Sequence, residues 1–219
     1  MGQLGEAIRT IKNNTKKGYF IAEEFLKGME FGAQAFVYNN KIEFILPHGD
    51  FIFKGNANVP IGHFVPLKLR ENIIRDLNIQ LEKSVHSLGL NNCAINADFI
   101  LKDGKIFVLE IGARAGATCL PELVSIYYGF DYYKAILKTA IGEKPGFSFI
   151  SGQPNASMLI FSNKTGVIKC IEDKNIYGDN IVEVKLDYKI GEKVRKFSVG
   201  PDRIGHIIVK GNNLSLIHI

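Results

Sequence analysis

Two acids draw attention by their surroundings. Asp98 lies within Ile95-Asn96-Ala97-Asp98-Phe99-Ile100 and Glu110 within Phe107-Val108-Leu109-Glu110-Ile111-Gly112, two apolar, β-patterned runs separated by Asp103-Gly104. Strand interiors disfavour carboxylates, and a buried ionised one has to be paired or has to bind a metal. Whether the two acids meet depends on register, because a slip of one residue sends a side chain to the opposite face. A two-residue Asp103-Gly104 turn would point them to opposite faces. A three-residue Lys102-Asp103-Gly104 turn with an adjoining bulge puts Asn96, Asp98 and Glu110 on one face and Ala97, Phe99, Phe107 and Leu109 on the other. Both turns are chemically allowed; the second is expected, because it gathers the polar residues. The carboxylates then lie within about 5–8 Å, the range in which two acids share divalent cations. All-oxygen ligands favour Mg²⁺ or Mn²⁺ over Zn²⁺.

Directly after Glu110 comes Gly112-Ala113-Arg114-Ala115-Gly116-Ala117-Thr118, a loop of small residues with one arginine. Small residues let the backbone approach a ligand closely, and the Arg114 fork matches a carboxylate or a phosphate. In isolation such an arginine more often pairs with a surface acid; next to the acid pair, the ligand-facing reading is preferred. His63, in Val59-Pro60-Ile61-Gly62-His63-Phe64-Val65-Pro66, can serve a cleft as hydrogen-bond donor or acid/base, although a lone loop histidine is more often structural. Lys54 and Lys68 either line a phosphate region or are solvated. His48, His86 and His206 have no ligand-like spacing. Tyr127-Tyr128 and Tyr132-Tyr133 recur at helical spacing and read as packing residues rather than a base-stacking platform.

Three segments taken in order resemble the ATP-grasp superfamily, in particular its carboxylate–amine or carboxylate–thiol ligases. They are Glu23-Glu24-Phe25-Leu26-Lys27-Gly28-Met29-Glu30, Asn96-Ala97-Asp98-Phe99, and Glu110-Ile111-Gly112-Ala113-Arg114-Ala115-Gly116, and the likeness covers roughly residues 17 to 145. The resemblance implies that Glu23 meets the adenine amino group, that the backbone at Glu24, Phe25 and Leu26 reads the adenine edge, and that Glu30 holds the ribose. It implies that Asp98 and Glu110 bind magnesium bridging the ATP phosphates, and that Arg114 faces the acyl phosphate or the substrate. One position departs from the pattern: Gly112 stands where a further metal ligand, often Asn, is usual, so a metal there would keep a water, held by Asn96. The implied activity is ATP-dependent joining of a small-molecule carboxylate to an amine. A biotin-carboxylase-like enzyme and a non-catalytic nucleotide-binding module are the alternatives.

These residues need elements to hold them. A helix is expected over Leu4 to Asn13, then β-rich runs at Tyr19 to Phe25, Phe31 to Tyr38 and Lys41 to Phe53, with Asn39-Asn40 as a tight turn. Leu69, Ile73, Leu77, Leu81, Val85 and Leu88 recur at helical spacing and predict a helix over Lys68 to Leu88 packing one face on a sheet. Further helices are expected near Pro121 to Tyr128 and Tyr132 to Ile141. Residues 154–213 read as short strands separated by turn residues, with a seam near Gly142 to Gln153. The expected class is α+β: residues 1–146 as an ATP-grasp C-terminal subdomain, mainly antiparallel sheet packed with helices, then residues 147–213 as a small β-rich domain that walls the site or mediates contact in a homodimer. Phosphate-binding lysines and a glycine-rich loop expected of a complete enzyme are not found before Tyr19, so the chain reads as an N-terminally truncated fragment. Residues 214–219, Leu-Ser-Leu-Ile-His-Ile, equal the translation of a transposon adapter used in sequencing libraries and read as a non-native tail; different codons there would sink that reading.

Composition sets the outer limits. The 219 residues are 46% hydrophobic and 22% charged, which excludes disorder and collagen-like or disulfide-scaffold chains. The net charge of +5 suits an anionic ligand without indicating nucleic acid. No apolar run reaches membrane-span length, and Cys93, Cys119 and Cys170 read as reduced, mostly buried thiols of a cytoplasmic protein.

Overall fold

A computed structural model describes residues 2–55, 58–150, 152–174 and 178–212. The sequence 214–219, read above as a non-native tail, lies outside the described residues. Helix α1 (Gly2–Asn14) opens the chain. Asn39 and Asn40 both take positive φ, 50° and 62°, and form the two-residue turn between β1 (Met29–Tyr38) and β2 (Lys41–Lys54). Asn tolerates this backbone because its short side chain costs little there.

Strand β1 lies between β2 and β4 (Cys93–Lys102), antiparallel to both; β5 (Lys105–Gly112) follows β4 at one edge and β3 (Asn58–Val65) follows β2. Side chains alternate across β1. Phe31, Ala33, Ala35 and Val37 face helix α2 (Glu71–Leu88), which sets Ile73, Leu77, Leu81 and Val85 against them and against Ile95, Ala97 and Phe99. The alanines let the helix axis approach the sheet, and each large aliphatic residue so buried contributes about 1.5–3 kcal/mol. Of the periodic residues that mark this helix, Leu69 precedes its first turn and packs on the cluster, while Leu88 is exposed. Gly89, at φ 64°, ends α2 with its N–H on the carbonyl of His86.

The opposite face is covered only in part. Helices α3 (Leu120–Tyr128) and α4 (Tyr132–Ala140) bury Phe36, Phe44, Leu46 and Ala94, with Tyr132 fully buried and Phe44 ringed by Tyr128, Phe130, Tyr132, Phe147 and Phe149. Beyond the helices, this face carries the polar residues of β1 to β5. The mixed α+β class, with a large antiparallel sheet packed by helices, is as expected.

Residues 147–213 contribute β6 (Asn155–Phe161), β8 (Ile181–Leu186) and β10 (Arg203–Lys210), with β7 (Gly166–Val167) and β9 (Lys193–Val194) as a separate two-stranded ribbon. β6 pairs directly with β3, so β6, β10 and β8 extend one eight-stranded sheet of order β5-β4-β1-β2-β3-β6-β10-β8. The run Tyr19 to Phe25, expected as β-rich, forms no strand: Tyr19, Ile21 and Phe25 are exposed, and β1, into which the segment leads, is already paired on both edges. Cys170 is exposed, against the expectation of buried thiols, whereas Cys119 is buried and Cys93 half-buried. Among the described residues, no helix is long and apolar enough to cross a membrane.

Because Leu77 is 1% exposed at the centre of the α2–sheet contact, Leu77→Ala is expected to cost about 2–5 kcal/mol in urea unfolding. A loss below about 1 kcal/mol would show that α2 is not tightly packed on this sheet.

Candidate metal and nucleotide site

The hairpin that carries the two acids closes differently from the expectation and reaches the same arrangement. Asp103 and Gly104 have φ of 51° and 76°, and Lys102 pairs with Lys105, so the turn has two residues, not three. Leu101, Ile100 and Phe99 then face Ile106, Phe107 and Val108 in regular register. Between Phe99 and Asp98 the register shifts: Leu109 is the extra residue of a bulge, and Asp98 stands across from Glu110, Ala97 from Ile111 and Asn96 from Gly112. Without the bulge, Glu110 would be on the α2 face. Phe107, expected on the far face, lies across from Ile100 on the same face as the acids.

The row continues across the sheet. Gly32 of β1 pairs with Asp98 on one side and with His48 of β2 on the other. A Cβ on Gly32 would stand 2.3 Å from Cε1 and Nε2 of His48 and 3.2 Å from Asp98 Oδ1, so the missing side chain is what lets the imidazole lie over the strand beside Asp98. Asp50, two residues further along β2, pairs with His63 of β3. A single oxygen, Asp50 Oδ1, is 2.9 Å from His48 Nδ1 and 2.6 Å from His63 Nδ1.

Burial opposes ionisation of Asp50, but the hydrogen bonds and charges of the two histidines outweigh it and hold the carboxyl well below the usual range. An ionised carboxylate only accepts, so each Nδ1 carries a proton, and in the neutral form of either ring the free lone pair lies on Nε2. Asp98 behaves oppositely. Burial is the main cause pushing its pKa up, Asp50 and Glu110 add like charge, and His48 and His63 pull it part of the way back.

The loop after β5 is anchored from below. Gln34, fully buried on β1, donates from Nε2 to Asn96 Oδ1 and accepts from the Gly116 N–H at 2.9 Å. Asn96, expected to hold a metal-bound water, accepts from Gln34 on Oδ1 and so braces the loop. Gly116 is required here, since a Cβ would stand 2.5 Å from Leu120 Cδ1 and 2.7 Å from Asn96 Oδ1. Thr118 and Cys119 both take positive φ, 56° and 68°, at the entry to α3, where Ser157 of β6 donates to the Thr118 carbonyl. Arg114 is exposed and donates to the adjacent Ala115 carbonyl at 2.9 Å.

The sheet therefore gathers Asp98, Glu110 and His63 on one face, with Glu30 on the same face of β1, across from Ile100. Glu23, Glu24, Phe25 and Leu26 lie outside this row in the segment before β1; Glu24 makes a 3.5 Å ion pair with Lys102 and Phe25 is 81% exposed. Sequence reasoning missed His48, Asp50 and Gln34. The signal for the first two was the alternation His48-Gly49-Asp50 in a strand, which puts both on one face.

A carboxyl whose folded pKa is raised favours the folded state only while protonated, and that contribution is lost as pH rises from the unfolded value of 3.8 through the folded one. Asp98→Asn is accordingly expected to melt above the native chain in metal-free buffer at pH 8, with the gap closing towards pH 3. Identical melting at both ends would refute the burial cost. Deleting Leu109 removes the bulge and joins Glu110 directly to Val108, still across from Asp98 on the same face, so divalent-cation binding is expected to stay within about threefold with the sheet's circular dichroism intact; a loss of about tenfold would show that this register is not what positions the acid.

No protein-family model matches the chain. A curated relative, the D-alanine–D-alanine ligase of Fusobacterium nucleatum subsp. nucleatum, is 25% identical over 134 residues, covering 58% of this chain and 44% of the relative. Among solved structures, phosphoribosylglycinamide synthetase from Anaerococcus prevotii superposes with a TM-score of 0.85 at 42% identity, over 96% of this chain and 56% of that one. The biotin carboxylase domain of Hydrogenobacter thermophilus 2-oxoglutarate carboxylase, in complex with MgADP and bicarbonate, shares the fold at TM-score 0.65 and 16% identity, over 83% of this chain and 41% of that one. The chain spans about half the length of the proteins it matches. In fold, and in the placement of its paired acids and small-residue loop, the chain is similar to the C-terminal region of ATP-grasp ligases.

Proposed function

We propose that this chain supplies the metal- and nucleotide-facing part of an ATP-dependent ligase that joins a carboxylate to an amine through an acyl phosphate. The observation that carries the reading is the placement of Asp98 directly across from Glu110, on an open sheet face beside the braced Gly112–Thr118 loop. Two carboxylates on adjacent strands suit Mg²⁺ or Mn²⁺, and the raised pKa of Asp98 is the cost that a bound cation would relieve. When bound, the metal would neutralise phosphate charge.

The chain's own residues would do the rest by alignment and electrostatics. Arg114 faces the transferring phosphoryl group. Glu30 holds the ribose, and the backbone of Glu23 to Leu26 takes the adenine edge once nucleotide is present to order against. A substrate carboxylate oxygen attacks the γ-phosphorus and ADP leaves; the amine then attacks the acyl carbon, phosphate leaves and the amine loses a proton, for which His63 Nε2 is the nearby acceptor. Residues 147–213, taken as the second unit of the chain, wall the acceptor side. Gly200–Asp202 packs on β3, and a cavity of about 580 Å³ opens between Ala117-Thr118 and Tyr188, Pro201 and Arg203. Arg203 lines that cavity ion-paired at 3.2 Å to Asp187, which lines it too.

Calorimetric titration with Mg-ATP, followed by phosphate release over a panel of carboxylates and amines in a protein of full ligase length carrying this segment, tests the reading. Turnover with a carboxylate–amine pair is expected, and Glu110→Gln should abolish that metal-dependent turnover. Binding without phosphate release under any pairing would make the chain a nucleotide-binding module instead, and full activity in Glu110→Gln would contradict the metal assignment.

A further inference from the structure

Gly112 brings no side-chain donor to a cation held by Asp98 and Glu110, and Asn96 Oδ1 already accepts from Gln34. On the far side of Asp98 there is a donor. His48 is 1% exposed, and its Nε2 finds no hydrogen-bond partner among the described residues. A buried ring nitrogen is rarely left alone, because it has given up water for nothing.

We propose that His48 Nε2 is a third, nitrogen donor to the cation bound by Asp98 and Glu110, an inference that rests on the metal reading above. Four observations converge on it. His48 Nδ1 is held by Asp50 Oδ1 at 2.9 Å, so in the neutral ring the free lone pair is on the buried Nε2, the carboxylate–histidine–metal arrangement seen where an imidazole ligates. Asp50 is itself fixed by His63 at 2.6 Å, so the ring is oriented by a carboxylate that cannot swing. Gly32 removes the one side chain that would stand between His48 and Asp98, and its absent Cβ marks a point close to both Nε2 and Asp98 Oδ1. Glu110 closes the row across from Asp98.

His48, Asp50 and His63 also offer ligand atoms within 4.8 Å of one another. In that trio, however, both Nδ1 atoms are already hydrogen-bonded to the shared oxygen, so what remains are the two Nε2 atoms, and the one beside Asp98 is that of His48. An imidazole in place of an oxygen donor makes the site softer, which raises its preference for Mn²⁺ over Mg²⁺.

The test uses this chain, labelled with ¹⁵N-histidine and loaded with Mn²⁺, in pulsed electron paramagnetic resonance. The native chain is expected to show the hyperfine coupling of one directly bound imidazole nitrogen. His48→Gln is expected to lose that coupling and to bind Mn²⁺ about tenfold more weakly, with Mg²⁺ affinity changed less than threefold and circular dichroism unaltered. His63→Gln should retain the coupling. Mn²⁺ binding that depends on Glu110 but shows no nitrogen coupling in the native chain overturns the inference and leaves the metal reading standing. A coupling that survives in His48→Gln and vanishes in His63→Gln overturns it as well. No Mn²⁺ binding at millimolar concentration removes both. A native-chain spectrum without nitrogen coupling overturns the inference even if the variants fold poorly.

Discussion

The face on which Glu110 emerges is governed by one residue of backbone. A two-residue Asp103-Gly104 turn enforces a pairing that would send Glu110 towards α2, where apolar side chains fill the space and an ionised carboxylate would be left without water or partner. The bulge at Leu109 relieves this by absorbing one residue, and everything else at the site presumes it: the row from Glu110 through Asp98 and Gly32 to His48, and the emergence of Gly112 across from Asn96, from which the loop is braced. Irregular strand pairing here is a positioning device, and its cost is confined to an edge strand with solvent on one side.

Around that row the electrostatics are arranged by opposition. Asp50 is stabilised as a carboxylate by two imidazoles on a single oxygen, whereas Asp98, a short way across the same face, is pushed towards its neutral form by burial and by neighbouring acids. One acid is satisfied within the protein and one is not. The uncompensated charge sits on the open part of the face, beside a loop whose backbone is pinned by a fully buried glutamine, so the region that lacks a partner is also the region where a cationic ligand has access.

Much of this was legible in the residues and some of it was not, for identifiable reasons. Helix α2 followed from its apolar spacing, and the Asn39-Asn40 turn from the tolerance of asparagine for positive φ. The meeting of Asp98 and Glu110 was expected through the wrong turn, because local turn chemistry allowed both loops and the deciding term was a bulge five residues away. Tyr19 to Phe25 has strand composition, yet strand formation needs a free neighbouring edge, which composition does not encode. His48 looked isolated because its partners come from β1, β3 and β4, and cross-strand proximity cannot be read from spacing along the chain.

The seam in the chain near Gly142 to Gln153 is not a seam in the sheet. β3 and β6 exchange hydrogen bonds from Gly62 and Met158 to Val65 and Asn155, and Gly62 lacks a Cβ where one would come within 2.2 Å of the Ser157 carbonyl. A cut at the seam would turn β3 into a naked edge, with His63 on it and a flat row of unpaired N–H and C=O groups, the kind of template on which a second copy can add a strand. The residues that follow the seam thus have a protective role independent of any chemistry: they cap an otherwise self-adhesive edge next to the site.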